Sequence, residues 1–371
     1  MGTRPALEPA GTSKCERRVP DARARRPLII QPIPVAVSDR MPQHRPALAI
    51  RTHVTLADVA AFLSDYDEGA PTALSPIERG TVNSSYEVKL PSGRIFLRIY
   101  EEQDHRGARA EAERLAYLAE RGVLTPAPLA RREGGFIGEL GSKPAATFPW
   151  RPGDMRCLRG VSPEDGKRVG RALGRLHAAG QGAPRALGRF EPSDLFIRLG
   201  SISRGRDSSL ASQAPFLRER LGFWTAKRDP HLPRGLIHGD LFRDNVLWTE
   251  QGEISALLDF ESASDGTFAY DVMVTVLAWA FKDTLDEAIA QSIMDGYLSE
   301  RPLSNAERNG LLAEGAVAAI RFSVTRITDE AMRAFEEGRP ARFDKDFRRF
   351  LHRLANLEAL GEKGLARALF R

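Results

Sequence analysis

The sequence predicts an α+β protein of two lobes, in which a small lobe built on antiparallel strands precedes a larger, mainly helical lobe. Between residues 77 and 100, short apolar stretches alternate with turns that contain Gly or Pro, which is typical of an antiparallel meander. Pro and Gly punctuate a second set of short strands that ends at Trp150. Beyond residue 153 the apolar residues recur with helical spacing, apart from one strand-rich island at residues 236–259.

Two helices are predicted within the small lobe. Thr55 and Asp58 have the spacing of a capping box, so the first helix is expected to begin there and to run through Leu63. The second is expected over residues 111–121, where apolar residues recur at helical spacing and Gly122 follows as a stop signal.

The chain is expected to divide into a basic extension (residues 1–50), the small lobe (51–150) and the large lobe (151–371). The extension contains nine Lys+Arg, four Asp+Glu, eight Pro and no aromatic residue. It cannot bury enough apolar surface to offset its ordering entropy and is therefore predicted to be disordered. A transit peptide, or a true start at Met41, are alternative interpretations of the same segment.

Charge and composition exclude several classes of protein. Residues 51–371 contain 45 basic and 45 acidic residues, so the predicted lobes have no excess positive charge with which to bind nucleic acid. The longest apolar run, at residues 272–281, is too short to cross a bilayer. Cys15 and Cys157 are the only cysteines, which favours a reducing cytosol over a disulfide-stapled fold.

The strand-rich island contains the residues most suited to chemistry. His238, Asp240 and Asn245 lie in a polar loop between apolar stretches, and Asp259 follows the next apolar stretch. Gly-Asp and Asp-Asn dipeptides are common in turns when they occur alone. Here the ordered set places two carboxylates and an amide between apolar stretches that form rigid elements. A general base and hard oxygen ligands for a cation are the chemistry these groups provide.

This pattern resembles the catalytic and metal-binding loops of the aminoglycoside phosphotransferase superfamily, which has the protein-kinase-like fold. The resemblance implies an ATP-dependent kinase with ATP and Mg²⁺ as cofactors, and a small-molecule alcohol as substrate. It implies that Asp240 is the catalytic base, and that Asn245 and Asp259 bind the metal. His238 and Asp271 are expected to be scaffold residues of the loop, and Asp244 a solvated turn residue.

The same resemblance implies that the small lobe binds the nucleotide. The residues expected to take part are Gly80, Ser84 and Ser85 in the phosphate-covering turn, Arg98 with Glu111, and Phe148 or Trp150 near adenine. Arg98 stands where related kinases have Lys, and its planar fork differs from an ammonium. Glu113 is the alternative partner of Arg98, and ordinary core packing is the alternative role of Phe148 and Trp150.

Three stretches resemble homoserine kinases of this superfamily, namely residues 236–246, 269–279 and 320–329. The chain departs from that pattern at Glu261, where Tyr is typical, and at Leu277, where Asn is typical. The resemblance makes L-homoserine the expected acceptor.

Residues expected at the acceptor site are Glu261, for the ammonium, Arg321 and Arg326, for the carboxylate, and Trp279. Surface charges and intra-lobe ion pairs are the alternative roles of the charged ones. An aminoglycoside or amino-alcohol kinase is the alternative enzyme, although a cationic acceptor would require an acidic cleft. An inactive binding protein that has kept the fold is the alternative outside the enzymes.

Overall fold

The computed structural model describes residues 51–77, 82–157, 160–184, 186, 188 and 190–371. The predicted disordered extension and the predicted phosphate-binding Gly80 lie outside these ranges. Within them, no helix has both the length and the apolarity that a membrane span requires.

One antiparallel sheet dominates the small lobe. Its order is β1-β2-β3-β5-β4, with bounds β1 (Ala73–Pro76), β2 (Ser84–Leu90), β3 (Gly93–Ile99), β4 (Gly138–Leu140) and β5 (Lys143–Pro149). Strand alternation places Leu97 and Ile99 in the core that also contains Phe62 and Leu63 of helix α1 (Leu56–Leu63). Arg98 therefore points to the opposite face of the sheet.

The helices of the small lobe begin at side-chain caps. The predicted capping box of α1 is present, since Thr55 and Asp58 bond each other's backbone N–H groups. Helix α2 (His105–Glu120) begins earlier than predicted because the Asp104 carboxylate accepts the Gly107 N–H at 2.8 Å. The six additional residues extend the helix without changing the face that carries Glu111.

The large lobe is mainly helical, and its two short ladders extend beyond the predicted strand-rich island at both ends. Its helices are α3 (Pro163–Ala179), α4 (Pro192–Ser203), α5 (Ser208–Ala211), α6 (Ala214–Ala226), α7 (Phe268–Trp279), α8 (Glu287–Leu298), α9 (Asn305–Arg326), α10 (Met332–Glu336) and α11 (Arg348–Leu369). A π-helical segment, Ile327–Ala331, joins α9 to α10. The strands are β6 (Arg234–Ile237), β7 (Val246–Trp248), β8 (Ile254–Leu257) and β9 (Ser264–Thr267), with β6 paired to β9 and β7 to β8. The predicted two-lobed α+β fold is confirmed.

Helices α3 and α8 approach so closely that their contact requires glycine. A Cβ atom added at Gly170 would overlap the carbonyl oxygen of Ile293, and one added at Gly296 would overlap that of Lys167. Both obstacles are backbone atoms, so neither can move aside as a flexible side chain would. By contrast, a Cβ at Gly222 in α6 would meet no atom within 4 Å.

We expect Gly170→Ala to destabilise the protein by about 1–3 kcal/mol, because the two helices must separate to admit the methyl group. The matched control Gly222→Ala should stabilise it by about 0.5–1 kcal/mol, since it removes only backbone entropy from the unfolded chain. The measurement is urea unfolding followed by circular dichroism. Equal midpoints for the two variants would contradict the close helix contact.

Candidate active site

The catalytic loop, defined as residues 238–245, connects β6 to β7 and carries the predicted base Asp240. Gly239 adopts φ +73°, and a Cβ there would lie 2.8 Å from the backbone oxygen of Ser262. The left-handed conformation and the close approach together require glycine at this position. The Asp240 side chain keeps 30% of its surface exposed, so a substrate can reach it.

Asp271 of α7 holds the backbone of this loop through hydrogen bonds. Its carboxylate accepts the backbone N–H groups of His238 at 2.7 Å and of Gly239 at 2.8 Å. The imidazole Nε2 of His177 lies 3.0 Å from the same carboxylate, and the His177 Nδ1 lies 2.8 Å from the Tyr297 hydroxyl. Asp271 and His177 are both fully buried. The loop backbone is thus fixed by a desolvated carboxylate whose acceptor positions are occupied.

Burial alone would raise the pKa of Asp271, but the hydrogen bond from His177, with smaller contributions from His238, holds that pKa below its ordinary value. Burial also lowers the pKa of His177, which favours the neutral ring. A neutral His177 donates its Nε2 proton to Asp271 and accepts the Tyr297 hydroxyl proton at Nδ1. The lowered pKa of Asp271 keeps its carboxylate ionised as an acceptor.

His238 links the loop to the strand that precedes Asp259. Its Nε2 donates to the carbonyl oxygen of Leu258 at 2.9 Å, and its Nδ1 accepts the backbone N–H of Asp240 at 3.3 Å. Its ring packs on Phe260 at a centroid distance of 4.6 Å. These contacts on both sides of the ring are those that the predicted scaffold role requires.

Asn245 and Asp259 are oriented by the same framework. The Asn245 amide nitrogen donates to the Asp240 carbonyl oxygen at 2.8 Å, which leaves the amide oxygen as its acceptor. Asp259 adopts the left-handed conformation, at φ 60° and ψ 69°, which Asp tolerates better than most residues. Burial is the main cause of the raised pKa of Asp259; the Arg98 guanidinium opposes the shift and the Asp240 carboxylate adds to it.

These groups fit a hard divalent cation that also binds phosphate. The described residues contain no cluster of three His, Cys, Asp or Glu able to hold a metal by themselves. One carboxylate and one amide oxygen are instead the small protein set that Mg²⁺ uses when phosphates and water complete its shell. A cation bound there would offset the negative charges of Asp240 and Asp259.

Arg98 and Glu111 meet on the cleft face of the small lobe. The Arg98 guanidinium donates to the Glu111 carboxylate at 3.0 Å, and the other oxygen of Glu111 accepts from Gln103 at 2.8 Å. Glu113 is exposed, which leaves Glu111 as the partner. Burial disfavours the Arg98 cation, but the Glu111 carboxylate and other nearby acids hold the pKa of Arg98 above its ordinary value.

The remaining residues expected to bind nucleotide occupy different environments. Ser85 pairs with Arg98 across the ladder and shares its face. Ser84 points to the other face, where its hydroxyl accepts the N–H groups of Arg51 and Thr52 at 2.8 and 3.0 Å. Phe148 is buried, with the Arg98 guanidinium 5.8 Å from its ring, whereas Trp150 stacks with Arg94 at 4.5 Å. Ser85, Arg98 and Phe148 thus lie together, apart from Ser84.

Two residues expected at the acceptor site contact the catalytic loop. The Arg321 guanidinium lies 3.4 Å from the Asp240 carboxylate and 3.4 Å from the Gly239 carbonyl oxygen. Trp279 is fully buried, and its indole N–H donates to the Leu241 carbonyl oxygen at 2.9 Å. Arg321 therefore positions the predicted base, and Trp279 supports the loop from within the core.

The other two acceptor candidates lie apart from each other. Glu261 accepts a hydrogen bond from the Asn83 amide, so it contacts the small lobe. Arg326 donates to the Asp346 carbonyl oxygen at 3.4 Å and stacks on Phe350 at 4.5 Å. This placement favours a role between the lobes for Glu261 and leaves Arg326 beside α11.

Sequence reasoning missed Asn83, and it missed Arg353, which lies beside Arg326. Arg353 is 4% exposed, and its guanidinium lies 4.3 Å from the Phe350 ring. A signal was present, because Phe350, Arg353, Leu354 and Leu357 share one face at helical spacing, which places a charge among apolar residues. No comparable pattern marks Asn83.

A two-lobed fold in which a braced loop carries Asp240 and Asn245, with Asp259 at the end of β8, defines the protein-kinase-like phosphotransferases as the class of this molecule. The sequence pattern of the phosphotransferase enzyme family matches residues 73–311. The chain belongs to that family, and the family expected from the catalytic motif is confirmed.

Curated relatives and solved structures agree with this assignment. The homoserine kinase of Caulobacter vibrioides is 34% identical over 295 residues, which cover 76% of this chain and 90% of that protein. The homoserine kinase of Brucella anthropi is 35% identical over 290 residues, covering 76% and 87%. An amicoumacin kinase in complex with AMP-PNP and Ca²⁺ superposes with a TM-score of 0.63 at 15% identity, covering 84% of this chain and 94% of that one. A choline/ethanolamine kinase family protein from Mesorhizobium loti gives 0.59 at 19% identity, covering 85% and 98%.

We expect Asp271→Asn to lower kcat about 10- to 100-fold, because an amide has one acceptor oxygen in place of two and cannot satisfy all three donors. Leaving a buried donor unpaired should also cost about 1–3 kcal/mol of stability. Asp295→Asn is the matched control, since within the described residues the carboxylate of Asp295 has only a distant contact, 3.9 Å from Arg371. Steady-state kinetics and thermal unfolding would measure both effects, and wild-type values for Asp271→Asn would refute the bracing role.

Proposed function

We propose that this protein is an ATP-dependent kinase that transfers the γ-phosphate to the hydroxyl group of L-homoserine. The observation that carries the proposal is the set formed by Asp240, Asn245 and Asp259 on one loop framework fixed by Asp271. The homoserine kinases among its relatives, each matched over most of its length, support this acceptor.

In the proposed reaction, Asp240 accepts the proton of the acceptor hydroxyl as that oxygen attacks the γ-phosphorus. The bond between the γ-phosphorus and its bridging oxygen breaks, and ADP leaves with the bridging electrons. The 3.4 Å contact with Arg321 keeps the carboxylate of Asp240 in position. The products are ADP and the phosphate monoester, and the proton passes to solvent.

Nucleotide and metal are assigned to the cleft face of the small lobe and to the end of β8. Arg98, fixed by Glu111, and the hydroxyl of Ser85 are the proposed phosphate contacts. Asn245 and Asp259 are the proposed ligands of Mg²⁺, which would neutralise phosphate charge when bound. We include a cytoplasmic location in the proposal, because two cysteines without a disulfide framework suit a reducing compartment.

Phosphorylation of an amino alcohol is the second candidate function. The choline/ethanolamine kinase family protein among the solved structures supports it through the fold alone. The charges beside the catalytic loop favour homoserine, because Arg243 and Arg326 lie there and a cationic acceptor would be repelled by them.

An ADP-release assay with the full chain, ATP and Mg²⁺ tests the proposal across L-homoserine, choline, ethanolamine, hexosamines and kanamycin. We expect turnover with L-homoserine and little with the others. Asp240→Ala should retain less than about one per cent of that turnover and bind ATP with unchanged affinity, since Asp240 is proposed to contact only the acceptor. A preference of the wild type for any other acceptor would refute homoserine, and higher residual turnover in Asp240→Ala would refute the base.

A further inference from the structure

In the part of the chain that the structure describes, four arginines beside the catalytic loop have no carboxylate partner. Arg243 belongs to that loop, Arg326 ends α9, and Arg349 and Arg353 lie in α11. Among the described residues, none of the four forms an ion pair with a carboxylate. We refer to these four residues as the arginine cluster.

Two partly buried arginines elsewhere in the large lobe do have such partners. Arg228 donates to the buried Glu314 carboxylate through two bonds of 2.8 Å, and Arg301 donates to the buried Glu307 at 2.8 Å. An arginine removed from water is normally matched by a carboxylate or phosphate.

Aromatic rings and backbone carbonyls hold the cluster in place. The guanidinium groups of Arg353 and Arg326 lie 4.3 and 4.5 Å from the Phe350 ring, and Arg243 donates to the Ala278 carbonyl oxygen. Ring faces stabilise a cation only partly, by about 0.5–2 kcal/mol. These contacts hold Arg243, Arg326 and Arg353 in place but offset only part of their charge.

The charges of the cluster repel one another. Burial, followed by the charge of Arg349, lowers the pKa of Arg326 to about 10. Burial and the charges of Arg349, Arg326 and Arg243 lower the pKa of Arg353 well below its ordinary value. Asp240, Asp244 and Asp344 attract Arg326, yet none of them pairs with it. An anion bound among these groups would offset both the desolvation and the repulsion.

Two members of the cluster lie near the base, since the charge of Asp240 acts on Arg326 and Arg243 belongs to the same loop. Arg321 contacts Asp240, and Arg326 follows it on α9 by five residues, a rise of about 7.5 Å. Arg243 follows Asp240 by three residues in the loop. The hydroxyl oxygen and carboxyl carbon of homoserine are four bonds apart, roughly 5 Å when extended. Arginine donors projecting across the remaining gap can reach such a carboxylate.

We propose that the arginine cluster is the subsite for the carboxylate of the acceptor and that it selects an amino acid over the corresponding amino alcohol. This inference rests on the proposed kinase function and names its acceptor subsite. In this proposal Arg326 binds the substrate carboxylate, whereas Arg321 positions the base. Arg243, Arg349 and Arg353 are the further members of the carboxylate subsite.

The test compares L-homoserine with 3-aminopropan-1-ol, which is homoserine without its carboxylate. Arg349→Gln and Arg353→Met should each lower the ratio of kcat/KM for homoserine over that for 3-aminopropan-1-ol at least about ten-fold. The KM for ATP should not change, because the cluster is proposed to bind the acceptor carboxylate and not the phosphates of the nucleotide. Arg367→Gln is the matched control, since Arg367 is an exposed arginine of the same helix and should keep the wild-type ratio.

Thermal unfolding distinguishes a loss of acceptor binding from a loss of protein stability. Arg353→Met should melt at or above the wild-type temperature, because it replaces a buried, unpaired charge with an apolar side chain of similar length. A lower melting temperature with an unchanged ratio would mean that Arg353 is only structural and would overturn the proposal. Homoserine turnover by the wild type with an unchanged ratio in both variants would overturn the subsite alone. Absence of homoserine turnover by the wild type would overturn the proposed function and the subsite together.

Discussion

The buried carboxylate of Asp271 is the interaction on which the site depends. It accepts two consecutive backbone N–H groups, of His238 and Gly239, and a third donor from His177. A desolvated carboxylate is costly unless its acceptor positions are filled, so the loop has one favourable position relative to α7. Gly239 permits that position because its left-handed backbone passes close to Ser262. The placement of the catalytic groups is therefore decided by a residue that need not touch any substrate.

The remaining parts of the site are fixed in relation to this loop. His238 connects it to Leu258, so the left-handed Asp259 is held at a set position beside Asp240. Across the cleft, the pair of Arg98 and Glu111 provides a charged group of fixed direction on the small lobe. Phosphoryl transfer requires positioning and charge neutralisation more than covalent chemistry, and these contacts provide both. The charges of the site are also divided between two places. Carboxylates lie at the end of β8, and the arginine cluster lies beside α11.

The sequence was sufficient to predict the features that depend on local residue spacing. The loop from His238 to Asn245 and the two-lobed order of elements follow from local patterns, since apolar anchors and turn residues lie next to the residues they position. The sequence could not decide which of Ser84 and Ser85 faces the cleft. Strand alternation places the two side chains on opposite faces of the sheet, but it does not say which of these faces the cleft. It assigned Arg321 and Trp279 to the acceptor, whereas their contacts with Asp240 and Leu241 arise from packing of distant helices. Gly80 lies outside the described residues, and its role stays a prediction.

The central claim is that Asp271 fixes the catalytic loop through the amides of His238 and Gly239, and hydrogen exchange of these amides in the wild-type protein tests it most directly. Amides bonded to a buried carboxylate can exchange only when the structure opens, so both should be as slow as amides in the core of α7. Their exchange can be followed by heteronuclear NMR at neutral pH. Protection equal to that of α7 is the result that the structure predicts. Exchange as fast as in the exposed turn at His231 would contradict it.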